Sequence, residues 1–150
     1  MYLPFRSLLA AAFLGFSTFS ACQKVSVEPA NQAETALVGR WALVQTVGGI
    51  GGGTRPADPQ RFQEIEFMAD GQARTMLNNV PTAIGTYTLN QATSYLTRQS
   101  ETFVSFNELQ LGGHPFIDEL SATTLVLNDD HADGIGNVYR REQPIFCGTR

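Results

Sequence analysis

The stretch Glu64-Ile65-Glu66-Phe67-Met68-Ala69-Asp70-Gly71-Gln72-Ala73-Arg74-Thr75-Met76-Leu77 decides the fold class of this chain. Glu64 to Phe67 alternates with a period of two, which puts both glutamates on one side of a strand and Ile65 and Phe67 on the other. Ala69-Asp70-Gly71 is a turn signal, because Gly71 tolerates a positive φ that a side chain resists. The chain therefore reverses, and Gln72 to Leu77 returns as the second arm of a hairpin.

The same period extends in both directions. Arg40 to Thr46 reads as a first strand, and Gly85-Thr86-Tyr87-Thr88-Leu89 alternates with its threonines outward and Tyr87 and Leu89 inward. Further short strands are expected at Tyr95 to Arg98, Thr102 to Phe106, Phe116 to Leu120, Thr124 to Leu127 and Asn137 to Arg141. Roughly nine short strands without crossover helices make an all-β, antiparallel, meandering sheet. Such a sheet removes its edges by closing into a small up-and-down β-barrel, with a two-layer β-sandwich as the alternative.

The N-terminal segment has a different character. Arg6 supplies one positive charge, and Leu8 to Phe19 is an apolar run that ends in Phe19-Ser20-Ala21-Cys22. About a dozen residues span only about 18 Å as a helix, short of the roughly 30 Å that crossing a bilayer requires. A removed leader fits better than a transmembrane anchor, and Ser20-Ala21 also satisfies an ordinary secretory cleavage site. The small residues directly before Cys22 resemble the processing signal of a bacterial lipoprotein. That resemblance implies a leader at residues 1–21, acylation of Cys22 as by palmitate, and a cell-envelope location. Gln23 after Cys22 implies the outer membrane of a Gram-negative cell. Gln23 to Ala36 is polar, contains Pro29 and lacks periodicity, so residues 22–36 read as a flexible tether and 37–150 as the domain.

Composition narrows the partners. The 150 residues carry 10 basic and 14 acidic side chains, a net charge of −4, with Lys24 the only lysine. Nothing here forms the basic stripe that nucleic acid requires, nor a polybasic patch for membrane electrostatics. The membrane partnership therefore rests on the lipid. With Cys22 acylated, Cys147 reads as a small apolar residue without a disulfide partner.

Candidate chemistry is sparse. Gly48 to Gly53 has neither the lysine nor the helix of a phosphate loop and reads as a mobile loop, or a lid over an open barrel end. Asn128-Asp129-Asp130-His131-Ala132-Asp133-Gly134 places Asp129, His131 and Asp133 as in a calcium loop, but Arg140 stands where the bidentate glutamate belongs, so a solvated hairpin turn is expected. His114, between Gly113 and Pro115, reads as a loop residue. No nucleophile elbow or zinc motif is present, so no catalytic residue, metal or cofactor is assigned and the chain is expected not to be an enzyme. Glu64 and Glu66 read as a solvated outer face.

With the strands placed, the domain resembles the lipocalin-like domains of bacterial lipoproteins. The matching residues are Leu37-Val38-Gly39-Arg40-Trp41-Ala42-Leu43-Val44, Ile65-Glu66-Phe67 with Asp70-Gly71, Gly85-Thr86-Tyr87, Leu125-Val126-Leu127, and Asp133-Gly134 with Tyr139-Arg140. The resemblance implies that Gly39 and Trp41 close the barrel floor, with an arginine of the last strand, Arg140 or Arg141, packed over the indole. It also implies a small hydrophobic or amphipathic ligand, held among residues such as Phe67, Tyr87 and Phe103. The alternative is a barrel filled by its own side chains that serves as an envelope scaffold or inhibitor module.

Overall fold

The computed structural model describes residues 29–142 apart from 110 and 112. The leader, Cys22 and Cys147 lie outside the described residues. A helix, α1 (Pro29–Leu37), leads into nine strands: β1 (Gly39–Gly48), β2 (Thr54–Pro56), β3 (Gln63–Phe67), β4 (Gln72–Leu77), β5 (Val80–Thr93), β6 (Ser100–Asn107), β7 (Pro115–Leu120), β8 (Thr124–Asp129) and β9 (Ile135–Arg141). The order is β2-β1-β3-β4-β5-β6-β7-β8-β9, every pairing is antiparallel, and β1 also pairs with β9. β1 and β3 to β9 thereby form a closed eight-stranded antiparallel barrel, with β2 a short flap on the far half of β1. Closure rules out the sandwich.

The central hairpin forms as its sequence dictates. Gly71 takes φ +80°, the Asp70 carboxylate accepts from the Gln72 amide at 3.1 Å, and Ile65 lies opposite Thr75. The second hairpin turns on Asn78 and Asn79, both at positive φ (52° and 63°), the two-residue geometry that matches strand twist. β5 begins directly after it and is far longer than the Gly85–Leu89 segment expected.

Two expected elements are corrected. Tyr95 to Arg98 is not a strand but the turn of the β5–β6 hairpin, closed by Ser94 N–H to Gln99 O (2.9 Å) and Arg98 N–H to Ser94 O (3.1 Å). Pro29–Leu37, read as tether up to Ala36, is helical. Nine residues hold a helix poorly in isolation, so this one depends on docking: Leu37 is fully buried in the barrel core. No helix among the described residues is long and apolar enough to cross a membrane.

The core lies inside the barrel and contains Leu37, Trp41, Ile65, Phe67, Ala73, Tyr87, Val104, Leu109, Leu125, Leu127 and Tyr139. Each large side chain withdrawn from water contributes about 1.5–3 kcal/mol. A second buried pair sits on the opposite face of the wall. Val104 faces the core, so its neighbour Phe103 faces away, opposite Phe116. Both are nonetheless buried, with ring centroids 5.9 Å apart.

Candidate functional site

One end of the barrel is closed by three residues from three places in the chain. The Trp41 indole N–H donates to Leu37 O at 2.8 Å. Arg141 stacks its guanidinium 4.1 Å from the indole centroid and donates to Val38 O at 2.7 Å and to Ala36 O. Those carbonyls lie at the C-terminal end of α1, where backbone acceptors lack intrahelical partners and the dipole favours a cation. Gly39 takes φ +136°, and a Cβ there would lie 2.5 Å from Arg141 Nη1. Of the two arginines considered, Arg141 performs this role. Arg140 points its exposed side chain from the outer face opposite Thr124 and Ala42, which corrects its assignment to the floor.

Above the floor the interior is filled. Phe67 and Tyr87 meet edge to face with centroids 5.0 Å apart, and Tyr87 Oη donates to Met68 O at 3.2 Å. Burial pushes the Tyr87 phenol up from its ordinary value. Phe103 is on the outer face, against Phe116 and His114. Of these three residues, proposed from sequence as ligand contacts, Phe67 and Tyr87 are brought together and Phe103 is not, and none of them lines the barrel's cavity.

The cavity lies elsewhere. A space of about 470 Å³ is lined by Ile65, Met76, Leu77, Ala83, Leu109, Leu111 and Tyr139, with Thr75, Thr82, Arg61, Gln63, Glu64 and Glu108 completing its wall. It occupies the end where β3 begins, β4 ends and β5 begins, so it is opposite the floor. The β6–β7 loop supplies one side. Gly85 lets that loop approach, since a Cβ there would lie 2.2 Å from Asn107 O and 3.1 Å from Leu109 Cγ. Tyr139 is at the deep side, from a strand position paired with Leu43 and Leu125. Its burial pushes the phenol up to about 12, and its hydroxyl makes no hydrogen bond to a described residue.

Glu64 departs from the expected solvated face. It shares that outer face with Arg40, whose Nη1 is 3.6 Å from Oε1, yet only 3% of the residue is exposed and neither carboxylate oxygen has a hydrogen-bond partner. Desolvation raises its pKa, opposed by Arg40. Glu66 behaves as expected, 2.6 Å from Arg74 Nε.

The Asp129–Ile135 segment is a hairpin turn, closed by Gly134 N–H to His131 O at 2.8 Å. Among the described residues no group of three metal-ligating side chains is placed to hold an ion. Asp130 has a different use. Its carboxylate accepts from Ser94 Oγ (2.6 Å), Tyr95 N–H (2.8 Å) and Leu96 N–H (3.1 Å), and the Ser94 hydroxyl foremost holds its pKa below the ordinary value. The tip of the long β5–β6 hairpin is thus clasped to the β8–β9 turn. The Gly48–Gly53 loop is pinned by Gly49 N–H to Gly134 O at 3.0 Å and contributes nothing to the cavity wall, so a lid role gains no support.

Sequence reasoning missed Tyr139, Leu109 and Leu111. Tyr139 was legible as an inward position, because Val138 and Arg140 alternate around it. The two leucines sit in a loop, where no period marks a cavity wall. No protein-family model, no curated protein and no solved structure matches this chain.

Proposed function

We propose that this protein is a binding module of the cell envelope, held to a membrane by acylation of Cys22, whose barrel takes up a small hydrophobic or amphipathic molecule at the end opposite Trp41. One observation carries the reading: a space of about 470 Å³ lies among Ile65, Leu77, Ala83, Leu109, Leu111 and Tyr139. Small-molecule sites are commonly concave, mainly apolar spaces of about 300–1,000 Å³ with a few placed polar groups. The Gly39–Trp41–Arg141 arrangement supports the lipocalin resemblance, and lipid anchoring suits a carrier of poorly soluble molecules. The filled-barrel reading is disfavoured by the same space.

The test is native mass spectrometry of the membrane-extracted full chain for co-purifying small molecules, compared with Ala83→Trp. Ligand on the unsubstituted protein and none on the variant is the expected result. A ligand-free protein that also fails to take up N-phenyl-1-naphthylamine would defeat the reading.

A further inference from the structure

The chemistry of the cavity wall narrows what can occupy it, on the premise that the cavity is a binding site. Its apolar lining is made by Ile65, Met76, Leu77, Ala83, Leu109, Leu111 and Tyr139, which offer no charge. Glu64 is in the wall, but its carboxylate oxygens have no accessible surface and belong to the outer face with Arg40, so they cannot meet a ligand. Thr75 and Thr82 bond to each other at 2.9 Å. The Tyr139 hydroxyl is different: it makes no hydrogen bond to a described residue. Tyr139 lines the cavity, so this phenol is a polar group of the wall with no hydrogen-bond partner among the described residues.

Besides Glu64, the charged residues of the wall are Arg61 and Glu108, one of each sign. Both are exposed and neither is in an ion pair with a described residue. A carboxylate ligand would gain from Arg61 and lose to Glu108, and an ammonium ligand the reverse. Either would shed hydration on entering the apolar depth, a cost of several kcal/mol without a partner. A phenol that stays protonated at neutral pH can donate or accept one hydrogen bond.

We infer that the ligand is an uncharged amphiphile, an apolar body carrying a hydroxyl, carbonyl or amide, whose polar group enters first and hydrogen-bonds to Tyr139. The orientation is head-in, because among the described residues of the apolar wall Tyr139 is the buried one that carries an unpartnered polar group.

The experiment is displacement of N-phenyl-1-naphthylamine from the full chain by decane, decan-1-ol, decanoate and decylammonium, matched in length and differing in head. Decan-1-ol should compete best, with both ions at least about ten-fold weaker. Tyr139→Phe should lower the competition by decan-1-ol about five-fold, the worth of one net hydrogen bond, and leave decane unchanged. Decanoate competing as well as decan-1-ol and losing its strength in Arg61→Ala would overturn the inference, as would a Tyr139→Phe protein that still prefers the alcohol over decane. Should Tyr139→Phe fail to fold, the ranking of heads on the unsubstituted protein and on Arg61→Ala decides alone. Failure of the probe and all four competitors to bind defeats the binding reading itself, which is distinguishable from a wrong ranking of heads.

Discussion

The Arg141 guanidinium lies 4.1 Å from the centre of the Trp41 indole and simultaneously donates to Val38 O and Ala36 O. One side chain from the last strand thus joins the first strand to the end of α1. Arg141→Ala removes a stack worth about 0.5–2 kcal/mol and two hydrogen bonds of about 1 kcal/mol each. The expected loss is about 2.5–4 kcal/mol in urea unfolding, with Arg140→Ala within about 0.5 kcal/mol of the parent. Equal effects of the two substitutions would refute the assignment.

Gly39 makes room for that arginine. Gly39→Ala strains a backbone at φ +136° and forces its Cβ toward Arg141 Nη1, so about 1–3 kcal/mol should be lost. Part of this cost disappears once Arg141 is gone. In a double-mutant cycle with Arg141→Ala, the combined loss should fall short of the sum of the single losses. Strict additivity would show that the backbone conformation alone demands glycine.

Glu64 gives the folded protein a pH dependence of definite sign. Burial raises its pKa above the ordinary 4.5, so the native state holds the proton more tightly than the unfolded chain does. Its contribution to stability is fully present below pH 4.5 and declines as pH rises through the native value. Glu64→Gln keeps the shape without the charge, so it should stabilise the protein at pH 7 and make little difference near pH 4. Thermal melts of both proteins at the two pH values test this; a destabilised variant at pH 7 would mean that the attraction of Arg40 outweighs desolvation.

The Asp130 clasp predicts a local effect with the opposite pH sign. Its pKa is held down by Ser94 and by the amides of Tyr95 and Leu96. The clasp is present above the ordinary carboxylate range and lost as pH falls through the depressed native value. His114 nearby favours the charged form too, while desolvation opposes it. Hydrogen exchange at Tyr95, Leu96 and Thr97 should quicken in Asp130→Ala and in the parent at low pH, with Ile65 and Tyr139 still protected. Unchanged exchange in the variant would show that the hairpin tip needs no clasp.

The strands of this barrel were largely legible because half-buried strands carry their period in the residues themselves. Gln72–Leu77 is observed with the bounds expected, and Trp41 occupies the floor. What escaped reading depends on contacts between distant segments. α1 is stable because Arg141 and Trp41 cap it and Leu37 is buried, and no local pattern in Pro29–Leu37 records that. Phe103 looked like an inward aromatic, but its neighbour Val104 takes the core position. The cavity is an absence of side chains where β3, β4 and β5 meet a loop, and an absence has no motif.

The wall of the barrel is not equally stitched around its circumference. β1 and β9 are joined at seven paired positions, from Trp41 with Arg141 to Gly48 with Ile135, whereas β6 and β7 share the single pair Phe103 with Phe116. The join between the chain's two ends is therefore stronger than one in its middle. The ladder thus joins β7 through β9 to the rest of the wall at seven positions across β1 and at one across β6. The β6–β7 edge ends in the loop that bears Leu109 and Leu111, and the Asp130–Ser94 clasp reaches across it. With fewer paired positions, that edge is expected to open at lower cost than the β1–β9 join beside the Trp41 floor.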